Sequence, residues 1–466
     1  MSAALDEARL LGVEPGALER ALTEALEKAA GAETLLVALP APVRPSEVLL
    51  AKTRGSAVAW AAPWSFELAA VGEAAAIEGQ GPGRFRDIAR RGRELLSGVR
   101  SVGLFGADAV RPRLFGGFAF RAGTPRSAHW APFGEARFVL PELGYVVENG
   151  KGRVFLAAGA RRLADRGERQ ALTRHVLEAL ALLERGAALA PATVASEAAL
   201  EEHSLDEWTG LVEAIGAEIA RGTLEKVVLA RRVTVALERG LDPADVLARL
   251  RVEAAESTRF LVRREGSVFL GATPERLAKK QGTALETEAV AGSMSTLDRE
   301  AARRLFESSK DLAEHGLVVR EIVRALEPLA ERLEKPVEPE LHELRHVLHL
   351  RTPIRAELRG VPHLLEVVER LHPTPAVGGA PTARALEWIA THERDERGWY
   401  AGPIGWFDRD GDGEMAVALR SGVLESDRAH LFVGAGIVEH SAAQAELAET
   451  RWKLKTLLSA LGIRGT

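Results

Sequence analysis

The sequence predicts an α+β fold in which antiparallel strands pair as hairpins and helices pack against them. Two observations carry that expectation. Strand-type runs fall in neighbouring pairs, 260–264 with 267–270 and 402–407 with 414–420, each joined by a short link. Stretches with apolar residues at helical spacing lie between such pairs, and the order does not read as a repeated parallel βαβ unit.

Taken in order, residues 5–30 carry Leu10, Leu11, Leu18, Leu22 and Leu26 at helical spacing. Five β-type runs follow at 34–39, 57–61, 113–120, 137–140 and 153–158, punctuated by Gly and Pro. A helix over 167–186 leads into an Ala/Pro-rich connector at 186–195. The chain is thus expected to comprise an N-terminal portion, 1–200, integral to the fold, and a second portion, 201–466, that carries the chemistry. In the second portion a helix at 205–221 precedes a strand at 226–233, and the chain closes on a helix at 442–461.

Composition narrows the function. The 466 residues are 46% hydrophobic and 27% charged, the profile of a soluble globular protein. A formal charge of -5 offers no electrostatic footprint for nucleic acid or an anionic membrane. The chain has no cysteine, which excludes disulfides, thiolate metal sites and cysteine nucleophiles and agrees with a cytoplasmic setting. The N-terminus does not read as a signal peptide, and no apolar stretch is long enough to span a bilayer. One asparagine and four glutamines, beside abundant Arg and Glu, point to a thermophile.

Three local patterns resemble sites they do not build. HELRH from His342 has zinc-protease spacing, but Pro336, Pro339 and Pro353 crowd the segment and 347–351 alternates like a strand. DRDGDG from Asp408 opens like a calcium loop, yet Leu419 stands where the bidentate Glu belongs, so a hairpin turn is expected. Gly434 and Gly436 begin a dinucleotide-type glycine pattern that ends on Glu439.

Several charged residues stand where a plain core would not want them. Lys226 opens the strand-type run KVVLAR; the commoner role is a strand-edge lysine reaching for water, and the alternative is a desolvated general base. Glu275 follows Pro274 in GATPERL; it is either a turn-end acid paired with Arg276 or, if buried, a general acid. Glu446, Glu449 and Lys453 fall within an arc of about 60° on a helix at about 100° per residue, which is ordinary for a surface ion pair. Glu314, in KDLAEH, is likewise a surface residue by default. Together these acids offer hard oxygen ligands of the kind Mg²⁺ takes.

The ordered series KVVLAR (226–231), GATPERL (271–277), AGS (291–293), KDLAEH (310–315), HL (349–350), LHPTPAVGG (371–379), YAG (400–402), GAGIV (434–438) and ExxExxxK (446–453) resembles the chorismate-binding enzymes. These include anthranilate, aminodeoxychorismate, isochorismate and salicylate synthases. The resemblance spans about 205–460 and extends forward, more weakly, through FGGFAF (115–120) and 130–141. It implies two packed antiparallel sheets flanked by helices, with the site in the cleft between the halves, and Mg²⁺ as cofactor.

The resemblance also implies roles. Lys226 would be the base that activates water for attack at ring C2 of chorismate, and Glu275 the acid that protonates the departing C4 hydroxyl. Glu314 and Glu449 would bind Mg²⁺ directly and Glu446 through a water. Tyr400, Arg420, Lys453 and the backbone of Gly434, Ala435 and Gly436 would hold carboxylate oxygens, with Gly292, Ser293 and His349 lining the pocket. Ala291 stands where aminodeoxychorismate synthases typically carry a nucleophilic lysine, while Lys226 is usually lacking in anthranilate synthases. The resemblance therefore favours the isochorismate branch, with no glutaminase partner required. A salicylate synthase, or a non-catalytic chorismate-binding subunit, is the alternative.

Overall fold

The computed structural model describes residues 16–28, 33–51, 53–123, 127–186, 200–237, 240–296 and 300–463. Of the expected helix at 5–30 it describes Ala17–Lys28; residues 5–15, and all of the connector beyond Gly186, lie outside the described residues.

Two long strands, Glu67–Gly79 and Ala136–Glu148, organise the architecture. They pair antiparallel, and the register shifts between Glu73 and Ala75. A bulge of this kind bends a strand and lets it pass from one sheet layer into another. The layers separate along Ala136–Glu148: its first half bonds to Arg113–Phe118, and its second half to Lys151–Gly159.

One branch runs from Glu67–Gly79 through Ala57–Ala61, Thr258–Arg264, Ser267–Thr273, Ser421–Leu424 and Arg428–Ile437 to Lys226–Ala236. The other runs from Arg113–Phe118 through Pro403–Asp408, Gly413–Val417, Arg276–Gln281 and Ala284–Ser295 to Val347–Leu358. All these pairings are antiparallel; Thr34–Ala41 with Val99–Gly103 is parallel. The fold is the expected α+β arrangement of packed antiparallel sheets with helices outside. Strands from before residue 200 pair with strands from after it, so one hydrogen-bonded network holds both portions of the chain.

The anticipated hairpins form, at Thr258–Arg264 with Ser267–Thr273 and at Pro403–Asp408 with Gly413–Val417. In the second, Asp408 Oδ1 accepts the N–H groups of Asp410 and Asp412, so the acidic loop closes a tight turn. His342 and Glu343 lie on the strand Glu340–Glu343, which removes the helix that a zinc-protease site needs. Helix Leu205–Ala220 opens on a capping box: Ser204 Oγ accepts from the Glu207 N–H, and the Glu207 carboxylate accepts from the Ser204 N–H. Among the described residues no helix is long and apolar enough to cross a membrane.

The glycines of FGGFAF are packing residues. A Cβ on Gly116 would stand 1.9 Å from the Arg137 carbonyl oxygen of the neighbouring strand. One on Gly117 would meet the Trp399 ring at 2.8 Å. Trp399 belongs to an aromatic cluster with Phe133 and Phe269, which Trp130 and Phe432 extend toward the cleft. Gly116→Ala is expected to lower stability by about 1–3 kcal/mol or more, because backbone cannot yield as a side chain can. Gly210→Ala, in an exposed helix interior with open space around it, should instead stabilise by about 0.5–1 kcal/mol. Urea midpoints of the two variants, moving in opposite directions, check both.

Candidate active site

An open cleft of about 900 Å³ lies between the two branches. Its walls come from Lys226–Ala236 and Arg428–Ile437 on one side and Ala284–Ser295 and Val347–Leu358 on the other, with helices Ser309–Leu326 and Ala443–Leu461 across the mouth. Thirteen of the fourteen residues singled out in the sequence line it: Lys226, Glu275, Gly292, Ser293, Glu314, His349, Tyr400, Arg420, Gly434, Gly436, Glu446, Glu449 and Lys453. The fourteenth, Ala435, turns its methyl into the core, as strand alternation requires between Gly434 and Gly436.

Lys226 is buried at the start of its strand, 1% exposed, and its Nζ lies 2.8 Å from Glu314 Oε1. This ion pair joins a strand of one branch to a helix packed on the other. Burial alone would raise the Glu314 carboxyl, but Lys226, then Lys310 and Lys453, outweigh it and hold the group below its ordinary range. Ser308 caps the helix, its Oγ accepting from the Asp311 N–H at 3.1 Å, and so fixes the turn that presents Asp311 and Glu314.

Glu275 occupies the link between Ser267–Thr273 and Arg276–Gln281. Its N–H donates to Thr273 Oγ1 at 3.2 Å, and its carbonyl accepts from the Val417 N–H at 3.1 Å. Burial, and next the charge of Glu288, push its carboxyl up to about 8, against the opposing pull of Lys226 and Lys453. The group therefore keeps its proton at neutral pH.

Gly292 sits at φ 76° in a register shift between Ala291 and Ser293, so the strand bulges into the cleft. Ser293 Oγ lies 2.9 Å from His349 Nδ1, and His349 Nε2 lies 2.9 Å from Arg420 Nη2. A guanidinium only donates, so His349 Nε2 accepts and the imidazole carries its proton on Nδ1. Burial, then Arg420 and Lys453, hold that ring well below its ordinary pKa, which keeps it neutral. The Nδ1–H points at Ser293, leaving the serine hydroxyl proton to face the cleft.

Arg420 is partly buried and adopts φ 46°, a left-handed conformation held at some cost by its surroundings. Burial pushes it down to about 10, and among the described residues no carboxylate pairs with it. A buried cation without a counter-ion is an anion site. Tyr400 stacks on Phe432 with ring centroids 5.6 Å apart, and burial raises its phenol.

The two remaining acids each meet a lysine. Glu446 pairs with Lys310 at 2.9 Å and Glu449 with Lys453 at 2.6 Å; Lys453 also donates to the Gly434 carbonyl at 3.1 Å. The i,i+4 pair expected on a surface is thus present, but it faces the cleft. Burial raises Glu449; Lys453 offsets part of this, and Glu446 and Glu314 add to the rise. That mutual repulsion, in an all-oxygen donor set, fits a hard divalent cation. With each acid engaged by a lysine, no three candidate ligands are gathered around one point among the described residues.

The sequence left three charged cleft residues without a role: Asp311, Arg397 and Lys310, which meets Glu446. Asp311 precedes Glu314 by three residues in KDLAEH, so helical spacing signals it. Arg397 had no such signal: it lies between elements, its guanidinium held by Glu393 and by the Val377 and Val228 carbonyls.

A Cβ on Gly436 would lie 2.6 Å from Glu314 Oε1 and 2.9 Å from Lys226 Cε. Both atoms end flexible side chains and can move aside. Gly436→Ala is therefore expected to fold with a melting temperature near that of the parent while displacing the Lys226–Glu314 pair. An ångström-scale misplacement costs on the order of 10² in rate. Turnover measured beside thermal melting checks this; equal loss of both would show a packing defect instead.

Known proteins place the geometry in context. The sequence matches the chorismate binding enzyme family over residues 21–462. It is 39% identical to the salicylate biosynthesis isochorismate synthase of Pseudomonas aeruginosa, covering 77% of each chain. It is 37% identical to isochorismate synthase MenF of Bacillus subtilis, covering 76% of each. The structure superposes on the menaquinone-specific isochorismate synthase MenF of Escherichia coli with a TM-score of 0.73 at 25% identity, over 94% of this chain and 99% of that one. This chain belongs to the chorismate-binding enzymes.

Proposed function

We propose that this protein converts chorismate to isochorismate, adding water at ring C2 and expelling the C4 hydroxyl with migration of the double bonds. The observation that carries the reading is one cleft holding a partly buried guanidinium that meets no carboxylate among the described residues, a buried lysine and a protonated carboxyl. A dicarboxylate suits the first, and paired general base and acid catalysis needs the other two. The family relatives, isochorismate synthases by name, support it.

Lys226 takes a proton from water as the oxygen attacks, and Glu314 beside it stabilises the ammonium that forms. Glu275 gives its proton to the departing hydroxyl, so no hydroxide is released. Arg420 holds a substrate carboxylate, and the Ser293 hydroxyl, its proton freed by His349, donates to another substrate oxygen. Tyr400, Lys453 and the glycine backbone at 434 and 436 complete the binding surface. Glu314, Glu449 and, through a water, Glu446 would hold Mg²⁺, which supplies charge neutralisation at the ring carboxylate. Water is the nucleophile, so no ammonia-supplying partner is needed. All the cleft residues lie between 226 and 453, which supports a catalytic portion at 201–466. The cysteine-free, amide-poor composition supports a reducing cytoplasm and a thermophilic source.

Purified protein given chorismate and Mg²⁺ should yield isochorismate by chromatography, with little pyruvate by a lactate dehydrogenase couple. Activity should vanish in EDTA and return with Mg²⁺. Stoichiometric pyruvate and salicylate at neutral pH would make the chain a salicylate synthase, and no turnover at all a binding subunit.

Glu275 serves as an acid only while protonated, so kcat should fall as pH rises through about 8. Glu275→Gln should lose about 10²–10⁴ in kcat with KM little changed. A loss seen in KM alone would make Glu275 a binding residue.

A further inference from the structure

The residue after Glu275 is an arginine, the obvious partner for a turn-end acid. In the structure Arg276 is diverted: its guanidinium bonds Glu286 and Glu414, each at 3.1 Å. A second acid, Glu288, occupies the place behind the turn. It belongs to the strand Ala284–Ser295, two residues before Val290, and so shares the face of Val290, which lines the cleft. Glu288 itself is buried and does not line the cleft. Its Oε1 accepts the Arg276 backbone N–H at 2.8 Å. Its Oε2 accepts from Arg351 Nε at 2.6 Å, and Arg351 reaches on to Glu340 at 2.6 Å.

We propose that Glu288 is a positioning residue for Glu275: it clamps the backbone of the turn that presents the acid and fixes a second negative charge behind it. The proposal rests on Glu275 being the proton donor. The two halves of the arrangement act together. The bond to the Arg276 N–H sets where the Glu275 side chain leaves the backbone, and the Arg351 contact fixes the Glu288 carboxylate behind the turn. After burial, Glu288 is the largest influence retaining the proton on Glu275. The other charged groups facing Glu275 are Lys226, from the strand opposite, and Lys453, from the C-terminal helix, and both favour its ionisation. Tyr400 also faces it and is neutral. Around Glu288 stand Arg351 and the neutral ring of His342. A general acid in a lysine-rich cleft needs such a counterweight, because the same cations that bind a dicarboxylate would otherwise strip its proton.

The test is Glu288→Gln in the Mg²⁺-loaded enzyme. The amide oxygen still accepts the Arg276 N–H, while the charge is gone. The alkaline limb of kcat should move down by about one pH unit, with KM for chorismate and kcat on the acid side near their parent values. A readout independent of turnover is the infrared band of the protonated Glu275 carboxyl, identified by its absence in Glu275→Gln; its titration midpoint should fall in step. Arg351→Gln, which strips Glu288 of its cation, should move the midpoint upward, and it serves if the first variant does not fold. A limb and a midpoint both unmoved, or a rate lost evenly across pH, would overturn the role of Glu288. Parent-like activity in Glu275→Gln would overturn the donor assignment itself, whatever Glu288→Gln does.

Discussion

Charge burial is the constraint around which the cleft is built. Placing ionised side chains away from water is costly unless each is paired, and the pairing here is systematic. Lys226 meets Glu314, Lys310 meets Glu446 and Lys453 meets Glu449. What the pairs leave over defines the chemistry. Arg420 remains a cation with no acid among the described residues, His349 stays neutral, and Glu275 keeps its proton. Under the proposed function, that surplus is positive where a carboxylate would bind and protonated where a leaving group would be capped. Two of the pairs also join elements: Lys226–Glu314 ties the strand Lys226–Ala236 to the helix Ser309–Leu326, and Lys310–Glu446 ties that helix to Ala443–Leu461, while Lys453–Glu449 lies within the last helix.

The backbone carries its share. Gly292 at φ 76° permits the bulge that aims Ser293 at His349, and a side chain there would press on Asp311 at 3.3 Å. Arg420 at φ 46° and Ala401 at φ 59° take left-handed conformations without a glycine's freedom. Such residues persist where neighbouring structure over-determines them. Arg420 precedes the strand Ser421–Leu424, and Ala401 follows Tyr400 beside the aromatic cluster of Trp130, Phe432 and Trp399. The buried aromatics therefore do more than fill space: through Phe432 they pack against Tyr400, whose side chain lines the cleft.

The hairpins and the terminal helices were legible because their periodicity and punctuation agree with their burial. The strand Glu67–Gly79 was not: it reads ELAAVGEAAAIEG, whose alanines and glutamates favour helix, and only pairing on both edges makes it a strand. The expected run at 137–140 proved to be one end of a thirteen-residue strand for the same reason, since its bulged partner sets its length. In the site, short motifs marked Lys226, Glu275 and the helix acids, but each alone resembled surface charge. The diversion of Arg276 to Glu286 and Glu414 could not be read from a sequence in which Glu275 and Arg276 are adjacent. Arg397 was invisible for a related reason: its partners are carbonyls at 228 and 377, and no residue pattern encodes a backbone acceptor.

The identity of the nucleophile follows from what surrounds Ala291. Its carbonyl is held by the buried His315, whose Nδ1 lies 3.3 Å away and whose Nε2 meets Thr352 Oγ1 at 2.7 Å. Burial lowers the His315 pKa, so the ring is a fixed neutral brace and not a proton carrier. The side chain that reaches the cleft at 291 is a methyl group, with no amine to attack a ring carbon. The amines that are present, Lys226, Lys310 and Lys453, are each engaged by a carboxylate. Under the proposed reaction the lone pair of Lys226 takes the proton of a water beside the ring, and the oxygen of that water is the group left to attack. The smallness of the side chain at 291 and the use of Lys226 as the base together leave water as the group that adds.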